Sequence, residues 1–236
     1  MMLAKTRKIR HQSGFTLVEL MVAMAIGVTL VLGTATIFDA FLRSSRFQQA
    51  VSAQTDSGRY ALDRLTREIR MSGYRDQAWL RPPLANAMVV EDGGTGPDAI
   101  TVRYEGAVDC AGNATVGPAF LVSNRFDVNN GNLRCNNEVL VLGVEDFQIL
   151  LGEDTDADGA SNRIVPPGTV GLDPGRIDSV RVHLLMATTD TRIQRAPQQL
   201  TYFGALGGAG ETKTYSDGRR RLELSTVLSL RNPITP

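Results

Sequence analysis

With 236 residues and 25 basic side chains against 25 acidic ones, the chain is electrically balanced. That balance excludes the strongly basic surface by which nucleic-acid binders attract phosphate. Two histidines and two cysteines, with no CxxC, no Gly-x-Ser-x-Gly and no metal-spaced His cluster, argue against a zinc module or a hydrolase triad. The length suffices for one membrane span and one exported domain of about 160 residues with its own core.

In chain order, Lys5, Arg7, Lys8 and Arg10 precede an almost unbroken apolar run of 24 residues, Phe15 to Phe38, whose one charge is Glu19. At about 1.5 Å per residue this makes roughly 36 Å of helix, enough for a hydrocarbon core of about 30 Å. The basic flank predicts a cytoplasmic N-terminus, with everything after the span outside. A carboxylate in hydrocarbon costs at least ~2.5–3.5 kcal/mol and needs a partner, yet no Lys, Arg or His lies between residues 12 and 42. A cut after Gly14 would free the Phe15 amine as a positive charge at the same depth, so the cut and the carboxylate explain each other. An ordinary secretory peptide is instead cut after its apolar region, at small residues. Removing the leader takes four basic residues from the 25 and no acidic one, leaving 21 against 25, about −4.

The run Ser13-Gly14-Phe15-Thr16-Leu17-Val18-Glu19-Leu20 resembles the class III signal of type IV pilins and type II secretion pseudopilins. The resemblance implies a prepilin peptidase that cuts Gly14–Phe15 and methylates the new Phe15 amine. It also implies that Glu19 pairs with the amine of a neighbouring subunit and so sets the assembly register. Many major pilins of this kind carry a proline in the membrane half of the helix; none occurs here from residue 1 to residue 81.

The helical pattern continues past the span. Val51, Thr55, Gly58, Leu62, Leu65 and Ile69 recur at spacings of three and four, with Arg59, Asp63, Arg64, Arg67 and Arg70 on the other face. Ser72-Gly73 supplies a stop, since glycine readily takes the left-handed cap conformation. The expectation is one helix of about 55 residues. Gly27, Gly33 and Gly58 each weaken it by ~1 kcal/mol relative to Ala and are where it would melt. The expected organisation is a leader over 1–14, a long helix over 15–73 (15–38 transmembrane, 39–73 amphipathic), and a periplasmic β-rich globular domain over 74–236.

Arg81-Pro82-Pro83 ends helical character. Runs rich in β-formers follow at Ala99–Tyr104, Phe120–Ser123, Glu138–Leu151, Ile177–Ala187 and Leu222–Leu230, separated by Gly, Asn, Asp and Pro clusters. Val180-Arg181-Val182-His183-Leu184 alternates as a half-buried antiparallel strand does. The fold class predicted is α+β: a long N-terminal helix, half transmembrane and half amphipathic, packed on an antiparallel β-rich domain. Cys110 and Cys135, both in the exported part, predict one disulfide, worth ~3–3.5 kcal/mol for a loop of about 25 residues.

This part is similar to PilW-type minor pilins. The similarity lies in Gly58-Arg59-Tyr60-Ala61, in Ile69-Arg70-Met71-Ser72-Gly73-Tyr74, in Ile177 through Val182 with Ala187-Thr188, and in Arg219 through Asn232. It implies a low-abundance, non-enzymatic subunit in a bacterial inner-membrane priming complex or at a pilus tip, with other minor pilins and the major pilin as partners. No nucleic acid, small-molecule substrate or obligatory cofactor is expected. A J-type pseudopilin of a type II secretion system and a calcium-dependent membrane-anchored adhesin are the alternatives; an anchored periplasmic enzyme lacks a catalytic constellation.

Asp154, Asp156 and Asp158 with Gly159 match the first half of a calcium loop, and Asn162 falls at position nine. Position twelve is Val165 instead of a bidentate Glu, so the alternatives are a solvated acidic turn and a weak Ca²⁺ site. Gly207 to Thr214 resembles a phosphate loop only superficially and is read as a surface loop. His183 is read as structural or surface. Arg219–Arg221 is read as a solvated strand edge that discourages aggregation.

Overall fold

The structure is a computed structural model and describes residues 14–76, 78, 82–115, 120–202 and 211–232. The leader up to residue 13, Arg81 and Gly207–Gly210 lie outside the described residues. The chain divides into two compact units, one ending at Phe47 and one beginning at Gln48.

Helix α1 runs from Leu17 to Met71, 55 residues. Thr16 opens it: its hydroxyl accepts the Glu19 backbone N–H at 3.3 Å, a side-chain cap for a donor that has no intrahelical partner. Within the first unit the hydroxyls of Thr29, Thr34 and Thr36 donate to the carbonyls of Ile26, Val31 and Gly33 at 2.8–2.9 Å. Polar groups in an apolar stretch are thereby satisfied by the helix itself. Every residue from Phe15 to Arg43 is exposed, and this segment is long and apolar enough to cross a membrane. At the other end Gly73 adopts φ +73° and donates its N–H to Arg103 O at 2.9 Å, so the stop falls where the sequence places it.

In the second unit α1 buries Gln54, Gly58, Ala61, Leu65, Glu68 and Ile69. The expected stripe is therefore shifted: Val51, Thr55 and Leu62 lie at its half-buried margin. Two polar residues, Gln54 and Glu68, sit inside it because each has partners on the sheets. Gly58 faces Leu224 and Met186, and a Cβ there would run into the Leu224 side chain.

Eleven strands follow among the described residues. Strands β1 (Met88–Glu91), β2 (Ala99–Glu105), β3 (Leu121–Asn129), β4 (Asn132–Cys135) and β5 (Glu138–Leu142) form an antiparallel meander in sequence order. Strands β6 (Val144–Glu153), β7 (Arg163–Val165), β8 (Ile177–Ala187) and β11 (Arg221–Ser229) form a second sheet, ordered β11-β8-β6-β7. Strands β9 (Gln198–Tyr202) and β10 (Glu211–Tyr215) pair as a hairpin. The core gathers Leu65 and Ile69 of the helix with Ile100, Phe126, Leu133, Phe147, Ile149, Leu184, Met186 and Leu228.

Two expectations are corrected here. The apolar run Glu138–Leu151 is two strands in different sheets, broken at Gly143 with φ +76°. A Cβ at this residue would lie 2.5 Å from Ala187 O, while Ala187 N–H donates to Gly143 O at 2.7 Å. Only glycine meets both demands. Residues Glu211–Thr214, read as part of a loop, belong to β10.

Asp98 is a second joint between the large sheets. Its backbone N–H donates to Phe147 O at 2.7 Å, and its carboxylate accepts the N–H groups of Ile149 and Gly93 at 2.8 Å each. Burial raises the Asp98 pKa in spite of those two hydrogen bonds.

Candidate functional site

The residues expected to be cut and to set the assembly register lie together at the start of α1. Gly14 and Phe15 precede the helix and are exposed, with Phe15 at 86%. Glu19 follows in its first turn. Among the described residues the Glu19 carboxylate makes no hydrogen bond or ion pair, and no cation occurs before Arg43, which pairs with Asp39. Phe15 and Glu19 can thus both be reached by another molecule, an arrangement suited to pairing between chains.

In the second unit a buried polar hub fastens the helix. Glu68 accepts from Tyr104 Oη at 2.9 Å and from Asn124 Nδ2 at 2.7 Å, while Arg64 reaches its other oxygen at 2.9 Å. Burial, then the Glu68 charge, push the Tyr104 phenol well above its usual pKa, so it remains a donor. Asn124, with no exposed surface, accepts the Cys110 N–H on its oxygen at 3.0 Å. Cys110 is bonded to Cys135, 25 residues on, with Cα atoms 6.2 Å apart. The predicted disulfide therefore closes onto the same asparagine that holds the helix. Tyr104 and Asn124 carry no sequence signal beyond their strands; Glu68, next to apolar Ile69, could have been found as a charge inside the stripe.

The other sequence candidates separate clearly. Arg221 is 5% exposed. It forks onto Glu145 at 2.6 and 2.9 Å and onto Asp217 at 2.8 and 2.7 Å, with its guanidinium 3.8 Å from the Tyr215 ring centre. Arg219 joins Glu145 at 2.9 Å, and Arg220 donates to Gln54 at 3.1 Å. The solvated-edge reading of Arg219–Arg221 is corrected: Arg221 is buried and, with the half-buried Arg219, is held by Glu145, distant in sequence, while the half-buried Arg220 is held by the Gln54 amide of the helix. His183 is buried, with Nδ1 at 2.9 Å from Glu223 Oε1.

Asp154, Asp156 and Asp158 do converge, with carboxylate oxygens within 4.8 Å of one another. Asp154 accepts the N–H groups of Ala157 at 2.6 Å and Gly159 at 2.8 Å. The Gly159 bond foremost holds its carboxyl below the usual range. The Asn162 carbonyl oxygen accepts from Thr155 N–H at 2.9 Å and Thr155 Oγ1 at 2.8 Å, which ties it across the same turn. Three hard oxygens fit part of a Ca²⁺ shell, within a turn that also closes on its own hydrogen bonds.

Comparison with curated proteins finds no match. Among solved structures the chain is similar to the type IV-like pilin TTHA1219 from Thermus thermophilus, at 19% identity and a TM-score of 0.50, over 75% of this chain and 95% of that one. That likeness shows the fold. The GspK-GspI-GspJ complex of the enterotoxigenic Escherichia coli type 2 secretion system also matches, at 12% identity and a TM-score of 0.38, over 76% of this chain and 99% of that one; this carries no argument. The prokaryotic N-terminal methylation motif matches residues 9–35, across Gly14, Phe15, Glu19 and most of the apolar run. The family model of the type IV pilus-assembly protein W matches residues 111–232, more than half of the chain. With a methylation signal on a membrane-anchoring helix and that family's domain on a pilin fold, the chain belongs to the type IV pilus-assembly protein W family, as a PilW-type minor pilin acting in pilus assembly.

Proposed function

We propose that this chain is a structural subunit, not an enzyme, of an inner-membrane priming complex or pilus tip. In this reading it is held in the bacterial inner membrane by one span with the N-terminus cytoplasmic and the β-rich unit periplasmic. A prepilin peptidase removes residues 1–14 and methylates Phe15. Glu19 then docks against the Phe15 amine of a neighbouring pilin, and the finished subunit enters the pilus with other minor pilins and the major pilin.

The observation that carries this is the exposed, unpaired Glu19 carboxylate in an otherwise uncharged run directly after Gly14-Phe15. Mass spectrometry of the protein extracted from host membranes is expected to show loss of residues 1–14 and one added methyl group. Glu19→Ala is expected to insert and be processed normally while co-purifying poorly with other pilins. A chain that still starts at Met1, together with normal assembly of the variant, would overturn the reading.

This reading requires no cofactor. Ca²⁺ is the ion that Asp154, Asp156 and Asp158 would take, a local reinforcement of the turn. Calcium titration tests it: a rise in melting temperature that Asp156→Asn removes supports the site, and identical melting with calcium or chelator dismisses it.

A further inference from the structure

Where α1 ends, a cleft of about 430 Å³ opens between the last helical turns and the segment after β11, lined among others by Asp63, Arg67, Arg70, Met71, Tyr74 and Arg231. Its rear wall is fixed: Asn232 Nδ2 donates to Ser72 O at 2.9 Å, tying the C-terminal segment to the helix end. Arg67 is paired with Asp63 at 2.6 Å. Arg70 and Arg231 are exposed, and among the described residues neither makes an ion pair or hydrogen bond. Elsewhere in the second unit Arg125, Arg134, Arg163 and Arg221 each face a carboxylate. Met71 is half-buried, and Tyr74 is 41% exposed.

We infer that this cleft is a docking site for an acidic segment of a neighbouring pilin subunit, with Arg70 and Arg231 as the recognising cations. Charge complementarity selects the occupant. Three guanidinium groups against the one carboxylate of Asp63 leave a surplus of positive charge, and guanidinium forks match carboxylates bidentately. An accessible tyrosine and an adaptable methionine beside arginines are the residue types that anchor protein partners. A cleft of this volume takes a few side chains and does not match the flat surface of a bilayer. The inference rests on the pilus-assembly reading, since it takes the partner to be a pilin.

The test uses the full-length chain in its native membranes. A photo-crosslinking amino acid at position 70 is expected to join a peptide of another pilin that contains at least two Asp or Glu residues. Arg70→Glu with Arg231→Glu is expected to lower co-purified pilin about tenfold or more while leaving leader removal, disulfide formation and melting temperature unchanged. Arg70→Lys with Arg231→Lys should restore part of the loss. Crosslinks only to lipid, only to a second copy of this chain, or to no acidic peptide would overturn the inference, as would normal co-purification of the charge-reversed variant. Failure of the underlying reading looks different: deleting the whole chain would then leave piliation unchanged.

Discussion

Gly143 and Gly112 isolate what a single methyl group does. Both have positive φ, +76° and +86°, but a Cβ on Gly112 meets nothing within 4 Å whereas one on Gly143 meets Ala187 O. Gly112→Ala should cost about 1 kcal/mol for backbone strain alone, and Gly143→Ala about 2–4 kcal/mol because the strand junction must also open. Urea midpoints of the two variants check the difference; equal losses would show that the close approach has little weight. Asp217 makes a second case. The Arg221 hydrogen bond foremost holds its carboxyl far below the usual range. A depressed carboxylate pKa contributes stability above the unfolded value, lost as pH falls through the folded one. Stability should therefore decline below pH ~4, and Asp217→Asn should flatten that acid limb. The side chain is 46% exposed, so solvent screening keeps the effect modest. An unchanged profile would assign the acid sensitivity to other carboxylates.

Among the elements, α1 was the most legible, since a long apolar run, a spacing of three and four and Gly73 all act locally. Strand β8 was readable for the same reason: eleven residues, Ile177–Ala187, give alternation room to show. Strands β1, β4, β7, β9 and β10 span three to five residues each, too short for a period to emerge, and they exist because longer neighbours pair with them. The polar fasteners were illegible for a different reason. Glu145 and Arg221 lie 76 residues apart, and nothing in either segment records the other. The hub at Asn124 yields a prediction at this scale. Cys110→Ser with Cys135→Ser should cost about 3 kcal/mol through the lost cross-link. If Asn124 transmits the bond to the helix, amide exchange at Leu65 to Ile69 should also accelerate. Loss of stability without faster exchange there would confine the disulfide to its own loop.

For the molecule as a whole, the sequence divides function from framework in an instructive way. Gly14, Phe15 and Glu19, which the proposed function assigns to contact with another chain, stand out because an exposed charge in an apolar run has no internal explanation. Residues that hold the β-rich unit together were not, because their meaning is a distance in space. The DTDADG turn lies between: its convergence was legible, but the engagement of Asn162 by Thr155 was not.

The second unit joins its two large sheets by one residue of chain, Gly143, yet the helix grips both. Gln54 donates to Met186 O and Arg220 O on the four-stranded side at 2.9 and 3.0 Å, and Glu68 engages Tyr104 and Asn124 on the five-stranded side. A tensile force entering through α1 would divide between these two grips instead of concentrating on the junction. The clamps would then have to slide together, in shear, before either sheet could be peeled away. Mechanical resistance of the second unit would then come from that arrangement without any thicker core.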